Sequence, residues 1–248
     1  MTTLRLSRRT LRRALPVLAI PALALGVAAC GDDDSDGPNT AAASYEVTVT
    51  NVNATQSLTP PVAVTHAERD QYFSVGSAAP AELQAIAENG NAEPALESWT
   101  NAILGAETPL VPDGSPAAEM FPGAATFTID SQEGEGYLSL ASMLICTNDG
   151  FTGVQSLELP APGEEVTVSA DAYDAGTEQN TEMLSDMVPP CQDLSGVTGA
   201  EGTGESNPAL AEGGEIGAHP GLAGTGDLTE EAHGVSSPVA EIMVRNLG

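Results

Sequence analysis

The chain has 248 residues with 35 acidic against seven basic ones, a formal net charge of −28, and no lysine. So acidic a surface repels phosphate backbones and anionic headgroups, which excludes nucleic acid and anionic membranes as direct electrostatic partners. Aromatic residues make up only 4%, so any core must rest on Val, Leu, Ile and Ala.

Residues 1–29 are expected to be a lipoprotein signal peptide. Met1 to Arg13 holds five arginines and no acid, and Ala14 to Ala29 is apolar but interrupted by Pro16 and Pro21. That run is short of the roughly 20 residues a spanning helix needs. Val27-Ala28-Ala29-Cys30 reads as a lipobox, with Cys30 becoming the diacylated N-terminus. An uncleaved anchor, or a plain signal with an accidental cysteine, is the alternative. Ser7-Arg8-Arg9-Thr10-Leu11 resembles a twin-arginine export signal, although Leu11 stands where Phe is frequent, and the general secretory route stays open. Residues 30–43 are expected to be an acidic flexible tether with nothing to bury. The protein should thus be extracytoplasmic and held to the membrane through its N-terminal lipid only. After residue 29, Arg69 and Arg245 face all 35 acids, a net charge of −33. This fits a salt-loving cell, where screening is short-ranged, or simply an acidic secreted protein.

Residues 44–248 are long enough for one sizeable core. Tyr45, Val47 and Val49 alternate with Glu46, Thr48 and Thr50, and the same period of two recurs in Val62–Val64, Phe127–Ile129, Val166–Ala172 and Ala240–Val244. Tyr137–Ile145 and Val154–Leu159 are more continuously apolar, as central strands would be. About eight such strands predict an all-β fold, an antiparallel β-sandwich. Leu83, Ile86 and Ala87, then Leu96, Trp99 and Ile103, have helical spacing broken by Asn89-Gly90 and Pro94, which predicts two short helices in an inter-strand connection, with Trp99 in the core. Gly196–Gly217 reads as a long excursion loop held at its base by Cys191. The glycines of Gly221–Gly226 lack a strand-to-helix setting and read as turn residues rather than a nucleotide fingerprint.

Once Cys30 takes lipid, Cys146 and Cys191 remain as an even pair in an oxidising compartment, and a disulfide is expected; two free thiols or a soft-metal pair is the alternative. Asp149 ends one strand segment, and Asp174 and Glu178 follow another. If those ends lie side by side, the three carboxylates converge and repel unless a cation sits between them, calcium being the simplest occupant. Alternatively, the aspartates cap turns through their side chains. His66, His219 and His233 form no helical metal pair, although a transition-metal site at His66 and His219 is conceivable, and Ser142 and Ser156 lack a nucleophile-elbow pattern.

Ser139–Phe151 (SLASMLICTNDGF) and Ala172–Glu178 (AYDAGTE), with Tyr45–His66, Pro80–Gly90, His219–Leu228 and Ser237–Arg245, resemble the spondin N-terminal domain family, the calcium-binding module of F-spondin and mindin, in its prokaryotic branch. The resemblance implies a sandwich similar to the calcium-dependent phospholipid-binding domains. It also implies calcium ligands at Asp149, Asp174 and Glu178, the last departing from the aspartate of the animal members. The function expected is a lipid-anchored, cell-surface calcium-binding module for binding or adhesion, not an enzyme, with an extracellular or envelope ligand as partner. Rival readings are glycan or envelope-component binding through the loops, and a metal-dependent hydrolase, for which the sequence shows neither an open metal position nor a base.

Overall fold

The structure is a computed structural model describing residues 38–248. The signal peptide, the lipidated Cys30 and the first part of the tether lie outside the described residues. Ten strands make two antiparallel sheets with short helices between them: β1 (Ala43–Asn51), β2 (Val62–His66), α1 (Ala81–Asn89), α2 (Glu93–Ser98), β3 (Ile103–Leu104), β4 (Ala124–Ser131), β5 (Tyr137–Met143), β6 (Gly150–Glu158), β7 (Glu165–Ala170), β8 (Ala172–Asp174), α3 (Pro190–Ser195), β9 (Gly217–Ala218), α4 (Glu230–His233) and β10 (Ala240–Asn246). The four-stranded sheet has the order β4-β1-β10-β7 and the six-stranded one β3-β2-β5-β6-β8-β9. The expected all-β sandwich is what the chain forms.

The four-stranded sheet obeys the simple rule of alternation. Tyr45, Val47 and Val49 are fully buried, and Val47 lies opposite Val244 on one side and Phe127 on the other. These side chains meet Leu58, Leu138, Leu140 and Leu144 of the second layer in one apolar core. The six-stranded sheet is covered on its other face as well, where Val62, Val64, Ala141 and Phe151 pack against Leu83 and Ile86 of α1, Phe73 and Trp99. Burial on two faces explains why β5 and its flanks read as a continuous apolar run rather than an alternating one. Trp99 lies in this core, as expected, against Tyr72 with ring centroids 4.9 Å apart.

Four boundaries differ from expectation. Ile103 is not helical: α2 stops at Ser98, Asn101 takes a left-handed φ of 64°, and Ile103 pairs with Ala63 in β3. Val166–Ala172 is not one strand, because the chain changes sheets between Ala170 and Ala172 to make β8. β6 starts at Gly150 rather than Val154, and within it Gly153 is obligatory, since a Cβ there would lie 1.9 Å from the Leu140 carbonyl oxygen. That close approach accompanies a bulge between Leu138 and Leu140, which the left-handed Ser156 (φ 51°) accommodates. Finally, the last residues assigned to the tether already belong to the sandwich: the Asn39 N–H donates to the Leu159 carbonyl at 3.1 Å, and the Asn39 amide to the Tyr45 hydroxyl at 2.7 Å.

A loop-end cluster of buried carboxylates

Gly150 pairs directly with Asp174 in the β6–β8 ladder, so the two carboxylate-bearing strand ends do lie side by side. Asp149 is fully buried in the turn before β6. Its Oδ2 accepts from the Thr177 N–H at 2.7 Å, the Glu178 N–H at 3.1 Å and the Thr177 hydroxyl at 3.2 Å. Oδ1 is buried and takes no hydrogen bond. Burial first, and then the Asp174 carboxylate, push the Asp149 pKa up to about 6 despite those donors.

Asp174 is half-buried, its Oδ1 accepting from the Gly176 N–H at 2.8 Å and its Oδ2 from the Asn180 amide at 2.6 Å. Gly176 has φ 68°, and a Cβ there would meet the Gly214–Glu215 backbone at 2.8 Å, so only glycine turns the chain between Asp174 and Glu178. Glu178 is buried, and its Oε1 accepts from the Asn207 N–H at 2.7 Å. Burial first, then the nearby Glu88 and Asp149 carboxylates, raise its pKa to about 7. Its carboxylate helps line a cavity that neither Asp149 nor Asp174 reaches. Among the described residues, the only His, Cys, Asp or Glu trio with ligand atoms all within 4.8 Å of one another is Cys146, Cys191 and His233. The three carboxylates therefore share one sheet edge without closing to that distance as a set.

The Gly196–Gly217 excursion is not a free loop. It returns along the site, where Leu210 and Thr177 carbonyls accept from Gln179 and Glu212 N–H groups, and it ends in β9. Its base is fixed by the expected disulfide between Cys146 and Cys191, with Cα atoms 5.0 Å apart. That bond occupies both sulfurs of the Cys146, Cys191, His233 trio.

The histidines do not converge. His66, on β2, has Nδ1 at 2.8 Å from the Glu68 carbonyl and Nε2 at 2.8 Å from the Ser139 hydroxyl. His219 follows β9, with β5, β6 and β8 between the two strands, and its Nδ1 accepts from the Gly221 N–H at 3.1 Å. Burial lowers the pKa of both. The serines have structural duties: the Ser142 hydroxyl donates to the Thr59 carbonyl at 2.6 Å, and the Ser156 hydroxyl accepts from the Asp70 N–H at 2.8 Å.

Sequence reasoning passed over Glu182. It is buried at a left-handed φ of 58°, and its carboxylate accepts from the Ala223 N–H, the Thr225 N–H at 2.7 Å and the Thr225 hydroxyl at 3.3 Å. Burial alone would raise its pKa, but these backbone donors, with that of Gly226, hold it below the usual glutamate value. The Gly221–Gly226 run is thus a turn, as expected, and also a cradle for an internal carboxylate. A glycine-rich turn can present a run of backbone N–H groups to an anion, but its sequence does not say which carboxylate it holds.

The family model described as Spondin_N matches residues 51–200, a span containing Asp149, Asp174, Glu178 and both bridged cysteines. No curated protein matches the chain.

Proposed function

The chain belongs to the spondin N-terminal domain family, and from that premise we propose that it is a lipid-anchored, extracytoplasmic module that binds calcium at the Asp149–Asp174 edge and uses the sandwich for binding or adhesion at the cell surface. Membership carries the coarser part, an extracellular-type binding domain. The observation supporting the metal is Asp149 Oδ1, a buried carboxylate oxygen without a hydrogen bond beside a second carboxylate. A site of hard oxygen donors in flexible loops, short of positive charge, is what calcium suits. Asp149 and Asp174 would hold the ion, which supplies the charge that stabilises both ionised groups. Glu178 N–H and Thr177 N–H already orient Asp149, so the chain fixes this ligand without the ion. The lipid follows from the lipobox at Cys30, and mass spectrometry of membrane-extracted protein should show a diacylglyceryl adduct on Cys30 with nothing before it.

The calcium reading is tested by thermal unfolding in high monovalent salt, where general screening is saturated. Calcium at about 100 times its Kd should stabilise the wild type by about 2.7 kcal/mol, with magnesium substituting poorly. A wild-type midpoint indifferent to calcium, or an Asp149→Asn midpoint that responds as fully, sinks the site.

A further inference from the structure

We propose that the free edge of β7 is a docking site for an extended segment of a partner protein, one that alternates apolar with basic residues and adds to the four-stranded sheet as an antiparallel strand. This surface serves the binding role proposed above, on which it rests, and is independent of the calcium edge. β7 ends its sheet, with β10 on one side and no strand on the other. The carbonyls of Glu164 and Ala170 accept from the Asn246 and Val239 N–H groups at 2.9 and 2.8 Å. Even-numbered residues therefore turn their backbone toward β10, and Glu165, Thr167 and Ser169 turn N–H and C=O groups outward. Among the described residues, no backbone hydrogen bond from another segment reaches those outward groups.

Two observations mark this edge out. The first is that it is neither covered nor broken. β4, at the opposite side of the same sheet, is covered: Gly105 lies against the Phe127 ring, and the Asp130 carbonyl accepts from the Thr65 hydroxyl at 3.2 Å. β3 and β9 are only two residues long. β6 is open from Gly153 onward, but the left-handed Ser156, with φ 51°, interrupts it and gives its N–H to the Ser139 hydroxyl at 3.1 Å. Bulges, short strands, proline and lysine are the devices that guard an edge against pairing. β7 has none of them: its six residues, Glu165–Ala170, keep one register throughout.

The second observation is an open groove of about 510 Å³ between β7 and the unpaired half of β6, with Val154, Leu157, Val166 and Val168 on its walls. These four are only partly buried, at the rim of the main core. β8 pairs with Gly150–Thr152 alone, so the sandwich is unclosed along this side. A strand laid along β7 satisfies the outward backbone groups and, at every second position, sets an apolar side chain onto these four. Charge selects the residues between. Glu158 lines the groove, Glu165 belongs to β7 and Asp171 follows it, while Arg69 and Arg245 are already paired with Glu158 and Glu46. Basic residues at the intervening positions complement this rim, and a second copy of so acidic a chain does not.

The full chain in non-ionic detergent, free of calcium, is titrated calorimetrically at about physiological ionic strength with an end-capped seven-residue peptide alternating lysine with valine. The same peptide with glutamate for lysine should bind roughly tenfold or more weakly. N-methylation then separates strand addition from general attraction to an acidic surface. In antiparallel pairing, the residues that exchange hydrogen bonds with Glu165, Thr167 and Ser169 share their outward face, so they are the lysines. Methyl groups on the lysine nitrogens should weaken binding roughly tenfold, and methyl groups on the valine nitrogens should not. Equal binding of the two methylated peptides overturns the proposal. Thr167→Pro removes one outward N–H from an edge strand, where proline is tolerated, and should cost roughly tenfold in affinity. Should it fail to fold, the exposed Thr167→Lys replaces it: a loss of at least threefold supports the site, and no loss overturns it. Asp149→Asn should bind the peptide as the wild type does while losing its calcium response, so the two sites fail separately. A peptide that binds the wild type and Thr167→Pro alike overturns the β7 site and leaves the binding role standing. Sedimentation showing wild-type dimers that Thr167→Pro dissociates would give the edge to a second copy and overturn the partner named here.

Discussion

Glu182 and Asp149 are both buried loop carboxylates held by backbone N–H groups, yet their proton affinities move in opposite directions. The Glu182 carboxylate is met by donors from Ala223 and Thr225. It is a closed arrangement that wants its charge. Asp149 places all its donors on Oδ2, leaves Oδ1 bare and lies beside Asp174. It is an open arrangement that carries a charge at a cost. Burial is common to the two, so burial does not decide whether a carboxylate is a structural tie or a place for a ligand. What decides it is whether the fold completes the shell around the charge.

The largest expected effect comes from removing what the two regions share. Cys146 and Cys191 pack with Met187 and Leu228, and Leu222 from the Glu182 cradle lies against the same cluster. Cys146 is also three residues before Asp149. Replacing both cysteines by serine reopens a 45-residue separation, and loop-closure entropy puts the loss at about 4 kcal/mol. Urea unfolding measures it. A loss under about 1 kcal/mol would show that the two loops stand without a common base.

Next comes the closed arrangement. Glu182→Gln keeps the shape but turns an NH₂ group toward backbone donors, leaving buried N–H groups without acceptors, at a cost of about 3 kcal/mol. Asp149→Asn removes the same charge from the open arrangement and should leave the calcium-free protein equally or more stable at neutral pH. Opposite signs for two carboxylate-to-amide changes would sharpen the contrast, and equal destabilisation would break it.

How far this was legible in the sequence follows the same division. The four-stranded sheet could be read residue by residue, because β1 and β10 each bury one face and their side chains alternate in and out. The short strands β3, β8 and β9 could not, since two or three residues carry no period and their pairing depends on where the rest of the chain sits. Asp149 and Asp174 were placed at one edge correctly because each follows a readable strand segment and the family resemblance joined them. Glu182 and Glu88 were missed for a physical reason: their partners lie about 40 and 118 residues away, and nothing in local spacing encodes such a contact. Glu178 was assigned to the aspartates, but its direction is fixed by Asn207, within a loop whose composition suggested no packing at all.

The effect spread most thinly, over several pH units, is the pH dependence, and it tests the comparison most directly. Asp149 and Glu178 have folded pKa values of about 6 and about 7, above their ordinary values of 3.8 and 4.5, so the folded state binds protons more tightly than the unfolded chain. Their ionisation therefore costs stability, a cost fully present above the folded values and relieved as pH falls through them. At about 1.4 kcal/mol per unit, the rise from 3.8 to about 6 makes Asp149 alone account for on the order of 3 kcal/mol. Glu182 runs the other way: its stabilisation is present above the ordinary glutamate value and lost as pH falls through its depressed folded value. The calcium-free protein should thus gain stability from pH 7.5 to about 5 and lose it on further acidification. Asp149→Asn should make the first limb shallower, leaving the part due to Glu178, and Glu182→Gln should do the same to the second. Saturating calcium should reverse the first limb in the wild type, because protons then compete with the ion for Asp149. Chemical unfolding at half-unit pH intervals, with and without calcium, separates the limbs; a calcium-free stability that falls steadily from pH 7.5 to 5 would place Asp149 among the satisfied carboxylates and remove the distinction between the two regions.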